Sequence, residues 1–228
     1  MGSLLSFTEP GGLAIKILTP FQLQVLAKLS ATSVKTDFFL TGGTALAAFY
    51  LQHRYSDDLD FFTEDPQAVL RVPAAMKELA NDLGASISFT RTLEHFLECF
   101  LVSAAGERLE MDFALDSPYR LKPKELRQEI GLWVDNSLDI SCNKLSALFD
   151  RAEPKDFVDI YFIHQELFSL EELLPKAKDK HVGLDNYWLA QAFARVAEVK
   201  ILPRLIKAVT IEQLSKFFTK QIPWLMQS

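Results

Sequence analysis

Cysteine is nearly absent from this chain: Cys99 and Cys142 are the only two in 228 residues. A disulfide framework is therefore not expected, and a reducing interior is the natural home. No apolar run reaches the roughly 18 residues that a membrane-crossing helix needs. The N-terminus lacks the charged start and long apolar stretch of a signal peptide. Its opening, MGSLLS, fits the loose myristoylation pattern. No polybasic segment follows, however, and a single acyl chain anchors only marginally. The expectation is a cytoplasmic protein without a membrane partner.

An excess of positive charge is also missing. The formal net charge is −6, from 24 Lys and Arg against 30 Asp and Glu. Nucleic-acid binders are usually basic in at least one region, so the balance argues against broad backbone binding. A local patch stays open. The run YRLKPKELR carries Arg120, Lys122, Lys124 and Arg127, and a solvated helix start is the simpler reading of it than a dedicated RNA surface. There is no internal repeat, no low-complexity tract and no Gly/Ser linker. What remains is ordinary globular composition, 49% apolar and 24% charged, enough to bury a real core.

Hydrophobic periodicity predicts a helix over 20–33, a strand over 37–40, a helix over 44–53 and a strand over 59–62. A helix follows over 67–83, with Pro66 at its start and Gly84 as its stop. Short segments at 86–91, 95–102 and 108–115 read as strands, the last two joined by a turn at Gly106. One more short strand pair is expected around 130–140. Helices are expected over 142–151, 154–167, 169–178, 185–199 and 210–219, punctuated by Pro154, Pro175, Pro203 and Pro223. The pattern is α+β with a mixed sheet flanked by helices. Two halves are expected, a sheet-containing core over 1–120 and a mainly helical region over 121–228, sharing an interface.

The chemistry concentrates in FFLTGGTALAAFYLQHRYSDDLDFF, residues 38–62. Gly42 and Gly43 let the backbone turn tightly and approach a ligand. The helix that follows presents free N–H groups, which favour phosphate. Thr44 adds a hydroxyl. Taken alone, such a turn is more often structural. Asp58 and Asp60 change the balance, because residues i and i+2 of a strand project from one face. Two neighbouring carboxylates repel, and a divalent cation is the usual reason to keep them; magnesium takes one or two protein carboxylates plus phosphate oxygens. Asp57 is out of phase and should face solvent. In RLEMDFAL, Asp112 interrupts an apolar strand and needs a reason. A surface position is one; a share in the metal site is the preferred one, with Glu110 on the same face as a substitute. Lys144 and Arg151, seven apart on a helix, form a stripe that faces either polyphosphate or water. Asp156 suits a first-turn capping role, and Asp159 is the stronger site candidate if its face is buried. His53 and His164 have no partners at metal-ligand spacing and read as ordinary.

Gly42-Gly43-Thr44 followed by Arg54-x-Ser56-x-Asp58-Leu59-Asp60-Phe61 resembles the signature of the nucleotidyltransferase superfamily, and within it the AbiEii/AbiGii toxin family. Asn143-Lys144-Leu145-Ser146-Ala147-Leu148 is similar to that family's K-L-x-A-L helix. Arg151, then Lys155-Asp156-x-x-Asp159, is similar to its R…[RK]-D-x-x-D segment. The likeness spans roughly residues 38–163 and leaves the tail beyond about 165 uncovered. The spacing from Gly43 to Asp58 is slightly long for the superfamily. The resemblance implies a minimal nucleotidyltransferase fold with Asp58, Asp60 and Asp112 holding magnesium, or manganese in its place. It implies that Gly42, Gly43, Thr44, Arg54, Ser56 and Lys144 meet the nucleotide and that Asp156 or Asp159 completes the pocket. It implies an NTP donor, a tRNA end or a protein as acceptor, and a cognate antitoxin. An aminoglycoside-like small-molecule acceptor suits the acidic balance. A non-catalytic nucleotide- or partner-binding module is the alternative from another class.

Overall fold

A computed structural model describes residues 17–117 and 119–227. The MGSLLS pattern lies outside the described residues. The first part runs α1 (Pro20–Leu29), α2 (Val34–Asp37), β1 (Phe39–Thr41), α3 (Gly42–Leu46), a π-helical turn (Ala47–Leu51), β2 (Asp58–Thr63), α4 (Ala68–Leu83), β3 (Ser86–Leu93), β4 (Phe96–Val102) and β5 (Arg108–Leu115). The second part runs β6 (Glu125–Arg127), β7 (Leu132–Val134), α5 (Ser137–Arg151), α6 (Pro154–Glu166), α7 (Leu170–Lys180), α8 (Asn186–Ala194), a 3-10 turn (Arg195–Glu198) and α9 (Ile211–Leu225). The fold is α+β, as the alternation predicts.

One seven-stranded mixed sheet, in the order β3-β4-β5-β2-β1-β7-β6, organises the molecule. β2 runs parallel to β5 and antiparallel to β1, and β1 runs parallel to β7. Strict alternation gives the sheet two unlike faces. Leu59 and Phe61 of β2, Met111 and Phe113 of β5, and Leu97 and Cys99 of β4 are buried on one of them. Phe61 stacks on Phe113 with ring centroids 5.2 Å apart. α4 packs on β3, β4 and β5, and its Val69, Val72 and Met76 are buried in the same core. Each such side chain contributes about 1.5–3 kcal/mol of burial. The other face carries Asp58, Asp60, Glu98, Glu110 and Asp112. The sheet continues past residue 120 through β7 and β6, and one apolar core runs through both halves.

The helical region packs around α5, which meets α6, α7 and α8, while α9 closes on α6 and α8. Phe218 of α9 sits edge-on to both Phe157 of α6 and Phe193 of α8, at 5.0 and 4.9 Å. α5 starts at Ser137 rather than at 142. The cause is Asn136, whose side chain accepts from the Asp139 N–H and caps the first turn. The strand pair expected at 130–140 lies slightly earlier, at β6 and β7. Pro175 and Pro223 do not end helices but sit inside α7 and α9. Both prolines are exposed, and so are Glu171 and Thr219 four residues before them, so water can satisfy the carbonyls that lose a partner.

The basic run at 119–127 is not a helix start. It is an irregular crossing that ends in β6, and a buried carboxylate explains it. Asp139 accepts from the Leu121 and Lys122 N–H groups, from Asn136, and from Lys180 at 2.5 Å. Arg120 turns inward, 3.0 Å from Asp116 and 2.5 Å from Asp135. Asp135 also accepts from Thr41 at the end of β1.

Candidate active site

The metal candidates come from three adjacent strands. Asp60 of β2 is in register with Asp112 of β5, and Asp58 with Glu110. Across the next ladder Asp112 is in register with Glu98 of β4. The parallel pairing of β2 with β5 and the antiparallel pairing of β5 with β4 thus put five carboxylates on one face. Oxygens of Glu98, Glu110 and Asp112 lie within 4.8 Å of one another. Burial, then the Asp58 charge, pushes the Asp60 carboxyl up to about 6. Burial, then the charges of Asp60, Glu110 and Glu98, pushes Asp112 up to about 7. Glu110 is raised for the same reasons. Among the described residues, Asp112 Oδ1 is buried with no hydrogen-bond partner. A crowded, undercompensated set of hard oxygen donors with one orphaned atom fits a divalent cation of the magnesium kind.

The Gly-Gly turn reaches the same place from β1. Gly42 enters α3 with φ +69°, and a Cβ there would lie 1.8 Å from Asp60 Oδ2. The Gly43 N–H donates to the Asp60 carboxylate. A Cβ on Gly43 would fall 2.7 Å from Arg54 Nη2, 2.9 Å from Ser56 Oγ and 3.5 Å from Lys144 Nζ. Ser56 in turn donates to Asp58 Oδ1 at 2.9 Å. The turn, the carboxylates and the basic groups of α5 and of the 52–57 loop therefore meet at one point.

Asp159 of α6 holds the basic groups there. It is fully buried and accepts from Arg54 Nε at 2.6 Å and Arg54 Nη2 at 2.9 Å. Lys144 Nζ lies 2.9 Å away and His53 Nε2 2.7 Å away. Lys144 and Arg54 hold the Asp159 carboxyl well below the usual carboxylate range against its burial. Burial lowers His53 against the pull of Asp159, which favours the neutral ring. Its proton belongs on Nε2, where the acceptor is, because Nδ1 has no partner among the described residues.

Two expected nucleotide contacts are engaged elsewhere. The Thr44 hydroxyl donates to the Asp58 carbonyl at 2.5 Å, so it ties α3 to β2. Asp156 takes Arg151 bidentately at 2.9 and 2.8 Å and accepts from the Glu153 N–H, the capping role. Arg151 is thus committed to Asp156, whereas Lys144 on the same stripe points inward. Asp57 is exposed and pairs with Arg204.

One side chain and one chain segment beyond the expected set join the site. Glu98 enters the carboxylate group, and FLECFLV carried the signal, a lone acid inside an apolar strand. The 202–207 segment of the tail carried none. It lies against residues 53–55 through the Tyr55 N–H to Arg204 O bond (2.9 Å) and the Ile206 N–H to His53 O bond (2.8 Å). A cleft of about 460 Å³ results beside Asp58, lined by Arg54, Ser56, Lys155, Leu202 and Arg204 among others. A second of about 400 Å³ lies on the β5 side, lined by Asp57, Asp58, Phe100, Arg108 and Glu110.

A strand–Gly-Gly–helix turn set against paired strand carboxylates, with a helical region supplying the lysine, defines a nucleotidyltransferase. Comparison with known proteins agrees. The family described as nucleotidyl transferase AbiEii toxin, type IV TA system, matches residues 24–223. The chain belongs to this family of toxin nucleotidyltransferases. An uncharacterised protein of Aquifex aeolicus is 29% identical over 167 residues, 72% of this chain and 76% of its own. The crystal structure of JHP933 from Helicobacter pylori shares the fold at TM-score 0.60 and 17% identity, covering 95% of this chain and 93% of that one. MenT4, a nucleotidyltransferase toxin of Mycobacterium tuberculosis, shares it at TM-score 0.57 and 18% identity, covering 95% and 83%. No helix among the described residues is long and apolar enough to cross a membrane.

Proposed function

We propose that the chain moves a nucleoside monophosphate from an NTP to an acceptor hydroxyl, as the toxin of a toxin–antitoxin pair. The observation that carries this reading is the side-by-side register of Asp60 and Asp112 beneath the Gly42–Gly43 turn. Asp58, Asp60 and Asp112 would hold magnesium, or manganese in its place. When bound, the cation neutralises charge on the phosphates and on the attacking oxygen. Gly42, Gly43, Arg54, Ser56 and Lys144 face the phosphates, with Asp159 fixing the orientation of the two cations. The acceptor oxygen attacks the α-phosphorus, the α–β bridging bond breaks, and pyrophosphate leaves with that bond's electron pair. Asp112 would help to activate the hydroxyl, as metal ligand or as base.

The acceptor in this reading is a tRNA end or a protein side chain, and a cognate antitoxin is the partner. Such a reaction belongs in the cytoplasm, where NTPs and RNA are found. The extra acids Glu98 and Glu110 favour a second reading, a cationic small acceptor of the aminoglycoside class. Incubation of the protein with each α-labelled NTP, magnesium, and total RNA, lysate or aminoglycosides distinguishes them. Label in RNA or protein is expected. Label in the aminoglycoside alone supports the second reading, and neither label nor pyrophosphate sinks both.

A further inference from the structure

The geometry points to Arg204 as a phosphate-binding residue of the donor cleft, delivered by a tail segment that carries no nucleotidyltransferase motif. The inference rests on the NTP-donor reading and adds a residue that the reading does not assign.

Three observations support it. The first is placement. Main-chain bonds from Tyr55 N–H to Arg204 O, and from the Ile206 and Lys207 N–H groups to His53 O, fix the tail beside the loop that leads into Asp58. Arg204 lines the same cleft as Arg54, Ser56, Asp58 and Lys155.

The second is charge. Arg54 and Lys144 share one buried counter-ion, Asp159, so part of their charge is already neutralised. A triphosphate brings several negative charges and needs further cations. Lys155 and Arg204 can supply them, since among the described residues each has its ion pair at the surface, with Glu153 and with Asp57. Exposed pairs of this kind hold weakly, so phosphate can displace Asp57 from the guanidinium at little cost.

The third is shape. Tyr55 lies under the Arg204 guanidinium, 5.1 Å from ring centroid to Cζ. The ring restricts a long side chain that would otherwise lose rotamer freedom on binding. A planar fork held in this way matches phosphate oxygens bidentately.

The test is equilibrium binding of inorganic tripolyphosphate and of the four NTPs, with magnesium, to the full chain. Arg204→Ala should raise the tripolyphosphate Kd about tenfold, the loss of one charge-assisted contact. Arg204→Lys should recover part of it. KM for the NTP should rise more than kcat falls, and the Tm should stay within about 2 °C, as for other surface changes. Asp57→Ala, which frees the guanidinium, should leave binding unchanged or tighten it.

Two results overturn the inference alone. One is Arg204→Ala binding tripolyphosphate as the wild type does. The other is Asp57→Ala weakening binding as much as Arg204→Ala, which would mean that the pair only holds the tail in place. A wild-type protein that binds neither tripolyphosphate nor any NTP refutes the donor site itself and Arg204 with it.

Discussion

Asp159→Asn should be among the most destabilising single changes in this protein. The carboxylate is fully buried and is the shared counter-ion of Arg54 and Lys144, whose side chains are 4% and 9% exposed. The amide keeps the size and one acceptor but removes the charge. Two cations then face each other across a neutral group without water to screen them. Removing one partner of a buried ion pair costs about 3–5 kcal/mol. For a domain of 150–250 residues each kcal/mol moves the Tm by about 2–4 °C, so a fall of roughly 6–20 °C is expected. Scanning calorimetry of metal-free protein at neutral pH measures it. The pH dependence is a second check. A carboxyl depressed on folding contributes stability that is fully present above its unfolded value of about 3.9. That stability is lost only as pH falls through the folded value, which here lies well below the usual range. The gap between wild type and variant should therefore be constant from about pH 8 to pH 7, above the range in which His53, 2.7 Å from Asp159, titrates. A Tm change under about 3 °C would show that the cluster is solvated and the reasoning wrong.

Two further outcomes follow from the carboxylate face. Asp60→Asn should stabilise the metal-free protein by about 3 kcal/mol at pH 8, since burial and Asp58 raise this carboxyl from 3.8 to about 6 and its ionised form is held at a cost. The sign is that of a raised acid: the penalty is complete above the folded value and vanishes near the unfolded one, so the gain should fade between about pH 6 and pH 4. A gain that persists at pH 4, or a loss at pH 8, contradicts this. Gly42→Ala places a Cβ 1.8 Å from Asp60 Oδ2 at a positive φ. It should cost about 1–2 kcal/mol in backbone strain and abolish the rise in Tm expected of the wild type on adding magnesium. Retention of that rise would mean that Asp60 is not a metal ligand.

Much of the site was legible in the sequence because its parts are local. Asp58 and Asp60 share a face through the two-residue period of a strand, and Gly42–Gly43 announces a turn at a helix start. α4 ends at Gly84, and β5 spans Arg108–Leu115, where periodicity puts them. The capping role of Asp156 was readable because Pro154 marks a helix start and puts Asp156 third in the first turn. Errors arose where a distant partner decided the outcome. The 119–127 run has the composition of a helix start, yet Asp139 draws its N–H groups into a crossing. The last helix is expected to stop at 219, short of Pro223, yet packing of Leu225 into the core keeps it going past the proline.

The sequence by itself determined the class of chemistry. Strand periodicity and turn stereochemistry act over a few residues, and they suffice to set two carboxylates beside a Gly-Gly turn at a helix start. Only the tertiary structure decided how the remaining groups, most of them already marked in the sequence, come together. Asp112 and Glu98 arrive by ladder register across three strands, Lys144 and Arg54 are oriented by Asp159 from another helix, and the tail delivers Arg204 by pairing with residues 53–55. Register and long-range ion pairing depend on how the whole chain closes its core, and no local pattern encodes them.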